Sequence, residues 1–113
     1  MARGKKEILR AMSFEIVLRR EAQIDLDETF VWYEEQKAGL GFDFLHEFQN
    51  VINKVHHNAY HASFIHADAR SATLKRFPYE VIYRLDEATR QVRIIAVIHQ
   101  RRDPDWFRQR LKE

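Results

Sequence analysis

The chain has 113 residues, a formal charge of +2, and 45% hydrophobic and 12% aromatic content, enough for a single domain with its own core and too apolar for a disordered segment. It has no cysteine, which excludes a disulfide framework and a thiolate metal site and suits a cytoplasmic protein. No apolar run approaches the ~20 residues of a membrane span, and no signal-peptide core is visible, so no membrane association is expected.

Residues 1–11 are basic and lack any period; they read as a flexible tail, an upstream start or an expression remnant ahead of Met12, with a single domain over 12–113. Phe14 to Leu18 alternates as a short strand. From Glu21 the period changes: Ala22, Leu26, Phe30 and Tyr33 form a helical stripe, with Asp25, Asp27, Glu28, Glu34 and Glu35 directed to water. Gly39 suits the end of this helix, and a second begins at once from Gly41 with Leu45, Phe48, Ile52 and Val55 on its apolar side. So short a connection predicts an antiparallel helix pair. The second helix frays through 56–60, and 61–69 reads as an irregular connection. Three strands follow, over about 70–77, 79–85 and 91–99. In the last, Val92, Ile94, Ala96 and Ile98 alternate with Arg93, Ile95, Val97 and His99. Asp103-Pro104 opens a short basic helix, Asp as N-cap and Pro at the first position. The predicted architecture is α+β, in the order β-α-α-β-β-β-α, with the helical hairpin packed on one face of a small, mostly antiparallel sheet.

Charge is unevenly distributed along this order. Residues 14–60 hold four Lys/Arg against nine Asp/Glu, and residues 61–113 hold eleven against seven. An acidic helical flank and a basic sheet follow, a potential that steers a polyanion or an acidic partner. Among the histidines, His57 and His61 have i, i+4 spacing but straddle a helix end without an accompanying glutamate. They are expected to be solvated, and neither metal nor cofactor is expected. The basic set Arg70, Lys75, Arg76, His99, Arg101 and Arg102 is the candidate site. Metal-independent RNA cleavage needs a base for the 2′-hydroxyl, an acid for the leaving oxygen and cations for the phosphorane. His99 and a desolvated Lys75 could exchange protons, and Arg70 or Arg102 could stabilise charge. The same six residues could equally grip a phosphate backbone or an acidic partner with no chemistry.

Several stretches resemble the RelE/ParE superfamily of type II toxin–antitoxin toxins: Arg70 with Phe77-Pro78-Tyr79, Ile82-Tyr83, and Ala96-Val97 followed by His99, Arg102-Asp103-Pro104 and Trp106. Ala22, Asp25, Leu26, Trp32-Tyr33, Gly39-Leu-Gly41 and Phe44-Leu45 extend the resemblance over most of 14–108. Asn58-Ala59 departs from the family's usual Asn-Pro. The resemblance implies a small bacterial toxin neutralised by a cognate antitoxin, through which alone it would contact DNA. RelE-like members cleave mRNA on the ribosome, and Arg70, Lys75 and His99 would stand in for part of their catalytic set. ParE-like members inhibit DNA gyrase, and the long hairpin with its Gly-Leu-Gly turn is closer to these. A third outcome is a module that only pairs with its antitoxin. The antitoxin is expected in an apolar groove beside Trp32, Phe44 and Phe48.

Overall fold

The computed structural model describes residues 14–112; the tail expected over 1–11 lies outside the described residues. The order is β1 (Glu15–Leu18), α1 (Arg20–Gln36), α2 (Leu40–His57), β2 (Ser63–His66), β3 (Ala69–Thr73), β4 (Tyr79–Asp86), β5 (Gln91–His99) and α3 (Pro104–Leu111). The expected α+β class holds, with one strand more than predicted. β2 pairs antiparallel with β3 inside the stretch read as an irregular connection. All four of its residues are exposed, so it carries no alternation, and its turn passes through Ala67 at φ 48 rather than through a glycine. The strand expected over 70–77 also stops early, at Thr73. Beyond it Arg76 takes a positive φ of 69, and Leu74 and Phe77 turn into the core.

The five strands run in the order β1-β5-β4-β3-β2, with β1 parallel to β5 and every other pair antiparallel. α1 and α2 cover one face. Ala22, Leu26, Phe44, Phe48, Val51 and Val55 pack there against Val81, Tyr83, Val92, Ile94 and Val97. The opposite face buries Ala69, Ile82, Ile95, Ala96 and Ile98 with Leu111 and Trp106 of α3. A second buried face explains why β4 and β5 read as nearly continuous apolar runs.

One irregularity in β5 decides which residues meet. Ile82 pairs with Ala96 and Tyr83 with Ile94, so Ile95 is an extra residue with no partner on β4. The predicted alternation therefore breaks at this bulge. Val92 and Ile94 face the helical hairpin, Ile95 and Ala96 face α3, and Val97 faces the hairpin again. His99, opposite Tyr79, follows Val97 to the hairpin side, away from Arg93 and Ile95 with which the unbroken pattern grouped it.

The hairpin is closed by its glycines. Gly39 has φ 92, between the Lys37 N–H donating to Tyr33 and the start of α2. Gly41 lies so close to α1 that a Cβ would meet Glu34 Cγ at 2.6 Å and the Phe30 carbonyl oxygen at 2.7 Å. Its N–H, one of the donors a helix start leaves unsatisfied, donates to Glu34 Oε1 at 2.8 Å. Glu34 thus joins the two helices rather than pointing into water. Asp103 caps α3 as expected, accepting from Asp105 N at 2.9 Å, and Arg84 of β4 donates to the Leu111 carbonyl at 2.9 Å and to Asp68 at 2.8 Å.

Two predictions follow from these contacts. Gly41→Ala should destabilise the domain by about 1–3 kcal/mol, the usual cost of overpacking, because the atoms it meets include backbone. Urea titration of the variant checks this, and an unchanged midpoint would show that the helices can separate freely. The second concerns Glu80 on β4. Burial raises its carboxyl above the ordinary 4.5, with the neighbouring Ser71 hydroxyl opposing. A folded pKa above the unfolded one means that the folded state disfavours the charged form, so this group's effect is absent below about pH 4 and destabilising once pH exceeds the folded value. Glu80→Gln should therefore gain stability over wild type as pH rises from 4 to 7, measured by denaturant midpoints at both.

Candidate functional site: the cleft at the end of the central strand

β5 delivers His99, Arg101 and Arg102 to a cleft of about 430 Å³ whose other wall is α1, through Asp25, Glu28, Thr29 and Trp32, with Tyr79 from β4. The bulge is what turns His99 into it. Its ring meets Tyr79 edge-on at 5.2 Å, and its Nδ1 accepts the Arg101 N–H at 3.0 Å. Nδ1 is thereby engaged by a backbone donor, which leaves Nε2 as the ring nitrogen available to a ligand.

The cleft floor is held by an ion pair that links the ends of the chain. Asp25 and Arg110 side chains are only 12% and 13% exposed and approach to 3.0 Å. Asp25 Oδ2 also accepts the Val97 N–H at 3.0 Å, and Arg110 donates to the Ile95 carbonyl at 3.3 Å. The Arg110 guanidinium lies 4.3 Å from the Trp106 ring centre, and that of Arg102 4.4 Å. Nothing in the sequence pairs residues 85 positions apart, so Asp25, Glu28, Tyr79 and Arg110 were not among the expected site residues. Asp25, expected to face water, is instead nearly buried.

The other sequence candidates lie elsewhere. Arg70 is paired with Tyr83, not with Tyr79, four residues or roughly 13 Å further along β4 and one strand away from it. Its Nη1 donates to the carbonyls of Tyr60 and Ala62, both at 2.8 Å, and its guanidinium stacks 4.0 Å from the Phe64 ring centre. It fastens the α2–β2 connection. The Tyr83 hydroxyl, donating to the Ala59 carbonyl at 2.8 Å, secures the same connection. Ala59 is itself buried. Lys75 and Arg76 occupy the β3–β4 turn, where Arg76 lies 3.8 Å from Asp43 and 3.9 Å from the buried Glu47 of α2. The six basic candidates thus form no single cluster; three share the cleft and three do not.

The apolar groove expected beside Trp32, Phe44 and Phe48 is also corrected. Phe44 is fully buried and Phe48 nearly so. Phe44 stacks among Tyr33, Phe77 and Tyr79, so neither phenylalanine offers a surface to a partner. Trp32 does, at 53% exposure, as do Ile24, Val31 and Phe42. His57 closes α2 and His61 lies beyond its end. Among the described residues no group of three or more His, Asp or Glu is arranged to hold a metal ion, and no helix is long and apolar enough to cross a membrane.

No protein-family model matches this sequence, and no curated protein does. Solved structures do match its fold. A chain of the chromosomal ParDE TA system from P. aeruginosa superposes with a TM-score of 0.68 at 15% identity, covering 77% of this chain and 96% of that one. The two share one fold. A chain of the toxin-antitoxin complex RelBE2 from Mycobacterium tuberculosis gives a TM-score of 0.56 at 16% identity, over 77% and 91% of the respective chains. The RelE/ParE-like resemblance read from the sequence is thus matched in the arrangement of helices and strands. At such identities the likeness concerns architecture, and chemistry has to be argued from the site.

The Asp25–Arg110 pair yields a direct test. Arg110→Ala strands a nearly buried carboxylate and should cost about 3 kcal/mol, the low end of the range for breaking such a pair. In the double variant Arg110→Ala/Asp25→Asn the loss should fall below the sum of the two single losses. Denaturant unfolding of the four proteins measures the coupling; strict additivity would mean that the pair does not hold α3 to α1.

Proposed function

We propose that this chain is the toxin of a type II toxin–antitoxin pair, ParE-like in action: it inhibits growth by binding DNA gyrase and is neutralised by a cognate antitoxin. The observation that carries the choice is the scattering of the nuclease candidates. Turning a 2′-hydroxyl on its phosphate requires a base and an acid within reach of one bond. Here Arg70 is bound to backbone carbonyls, Arg76 is turned towards Asp43 and Glu47, and the Nδ1 lone pair of His99 is already used by Arg101 N–H. The cleft that keeps His99, Arg101 and Arg102 together also contains Glu28 beside the Asp25–Arg110 pair, and the Glu28 carboxylate opposes an approaching phosphodiester. A mixture of arginines, carboxylates and an exposed tryptophan suits a protein surface, where Trp and Arg supply most anchoring contacts. The higher TM-score to the ParDE chain than to the RelBE2 chain supports the same choice.

The RelE-like reading, a ribosome-dependent mRNA endoribonuclease, draws on one feature: His99, Arg101 and Arg102 do meet in a single cleft. His99→Gln separates the two. Glutamine retains a hydrogen-bonding side chain but cannot exchange a proton near neutral pH. For a gyrase binder the variant should remain as growth-inhibitory as wild type, with purified protein blocking DNA supercoiling and cellular mRNA left intact. For a nuclease, loss of a general acid or base should lower cleavage by about 10²–10⁴-fold. A folded but harmless His99→Gln protein, together with mRNA cleavage by the wild type, would reverse the assignment.

A further inference from the structure

The chain from the end of α2 through β2 is held to the domain by few packing contacts. Over residues 58–68 only Ala59 is buried and only Ala62 half-buried, and all four residues of β2 are exposed. Two methyl groups are a small apolar anchor. The ladder to β3 is short and broken. Ser63 pairs with Ser71 and Phe64 with Arg70, but Ile65 has no partner before His66 meets Ala69. Between the start of this segment, the last turns of α2 and β3 lies a cavity of about 680 Å³, with Val51, Val55, Ala72 and Tyr83 in its wall. The segment thus borders a space that it does not fill. Few buried contacts mark the part of a fold that opens before the rest.

What holds the segment is a small set of polar clasps. Arg70 reaches it from β3: its Nη1 donates to the Tyr60 and Ala62 carbonyls, both at 2.8 Å. The same guanidinium lies 4.0 Å from the Phe64 ring centre and 5.7 Å from that of Tyr60. Every one of these partners belongs to the segment. The Tyr83 hydroxyl donates to the Ala59 carbonyl at 2.8 Å. Tyr60 adds an exposed bond to Glu87 at 3.1 Å and an edge contact with Phe14 at 5.7 Å. The two ends are fixed separately. Asn58 caps α2, its N–H donating to the Lys54 carbonyl. At the far turn, where Ala67 has φ 48, Asp68 is bound by Arg84, which also holds the Leu111 carbonyl.

We infer that residues 59–66 are a strap that opens and closes as a unit, hinged at Asn58 and at the turn through Ala67 and Asp68, and that Arg70 is its latch. Opening breaks the bonds from Arg70 and Tyr83 and the short ladder to β3. It leaves the β4–β5 pairing and the Asp25–Arg110 pair in place, uncovers the cavity wall and makes β3 the edge of the sheet. Arg70 therefore governs access to the cavity. The strap is a property of the fold and stands or falls independently of the toxin reading.

Native-state hydrogen exchange of the full chain, followed amide by amide at rising urea, tests this. In wild type the amides of 59–66 should exchange through an opening that exposes little surface, and so depends weakly on urea. Those of β4 and β5 should exchange only by global unfolding, with a steep dependence. Arg70→Met keeps an aliphatic stem and removes both bonds; it should speed exchange over 59–66 by at least ~10-fold, the least expected from losing a hydrogen bond to a charged group. Tyr83→Phe, which removes one hydroxyl, should act in the same direction by about fivefold. Arg110→Ala should speed exchange in β4 and β5 and leave the strap within about twofold of wild type, because its bonds survive the opening. The chain has no cysteine, so Val55→Cys, buried in the cavity wall, carries a single thiol that reports the same opening where strap amides exchange too fast to follow. Its labelling should depend weakly on urea and quicken at least ~10-fold with Arg70→Met. One common urea dependence for strap and sheet overturns the strap, as does an Arg110→Ala protein in which both accelerate together. A thiol labelled as fast as in unfolded chain overturns it too. Strap exchange and labelling unchanged in Arg70→Met overturn the latch.

Discussion

The Val97 N–H has no strand to donate to, because β1 ends opposite Ile94 and the chain turns into α1 at Arg19, whose own N–H takes the Ile94 carbonyl. A bare stretch of central strand inside a domain is costly, since an unpaired buried N–H forfeits its full hydration. Asp25 supplies the missing acceptor one turn and a half into α1, and Arg110 both neutralises Asp25 and donates to the Ile95 carbonyl. Two side chains thus replace a missing piece of β-ladder. In doing so they fix three elements at once: α1 along the strand, α3 across the other face, and the bulge at Ile95 between them. Because the pair is nearly dry, its attraction is little screened, but its retention reflects the backbone groups it satisfies more than its Coulomb energy.

The bulge has a functional consequence that follows from the geometry of strands. In a regular β5, His99 would share a face with Arg93 and Ile95 and would point towards α3. One extra residue reverses the side on which everything after it emerges. His99 then stands over Tyr79 beside α1, and Arg101 and Arg102 follow it. The site is therefore built by a break in the pattern, at the position where an apolar strand on both faces gives no alternation to read.

This also explains which parts of the molecule were legible in the sequence. The helical hairpin, the glycines that close it, β4, β5 and the capped α3 each carry a local signal, whether a period, a turn residue or a cap, and each lies within a residue or two of its expected bounds. β2 carries none, since it is short and exposed and turns through a strained alanine. Pairings were visible only where alternation fixed register. Arg70 could be placed near His99 as long as β3 ran to Phe77; an early stop at Thr73 and a register joining Arg70 to Tyr83 move it four residues along β4 from Tyr79, the partner of His99. Phe44 and Phe48 were correctly assigned to an apolar stripe, but a stripe does not reveal its depth, and here Phe44 is covered completely and Phe48 nearly so. Trp32 is exposed because it lies on the flank of α1 that rises above the end of β5.

The charge asymmetry of the chain takes on a different meaning once its partners are known. A surplus of arginine in the second half of a sequence looks like a surface for polyanions. Most of these arginines are engaged internally: Arg70 with carbonyls, Arg84 with Asp68 and Leu111, Arg93 with Asp86, Arg110 with Asp25. Arg70 and Arg110 bring their planar forks to backbone carbonyls, a task for which lysine is poorly shaped. Other cations are scattered over the fold: Arg101 and Arg102 follow the end of β5, Lys75 lies in the β3–β4 turn and Lys112 follows α3. Phosphate backbones are gripped by several cations in a row, each releasing counterions. Two adjacent arginines mixed with acids and aromatic surface make no such row, and on the proposed reading they suit a protein partner better than a phosphate backbone.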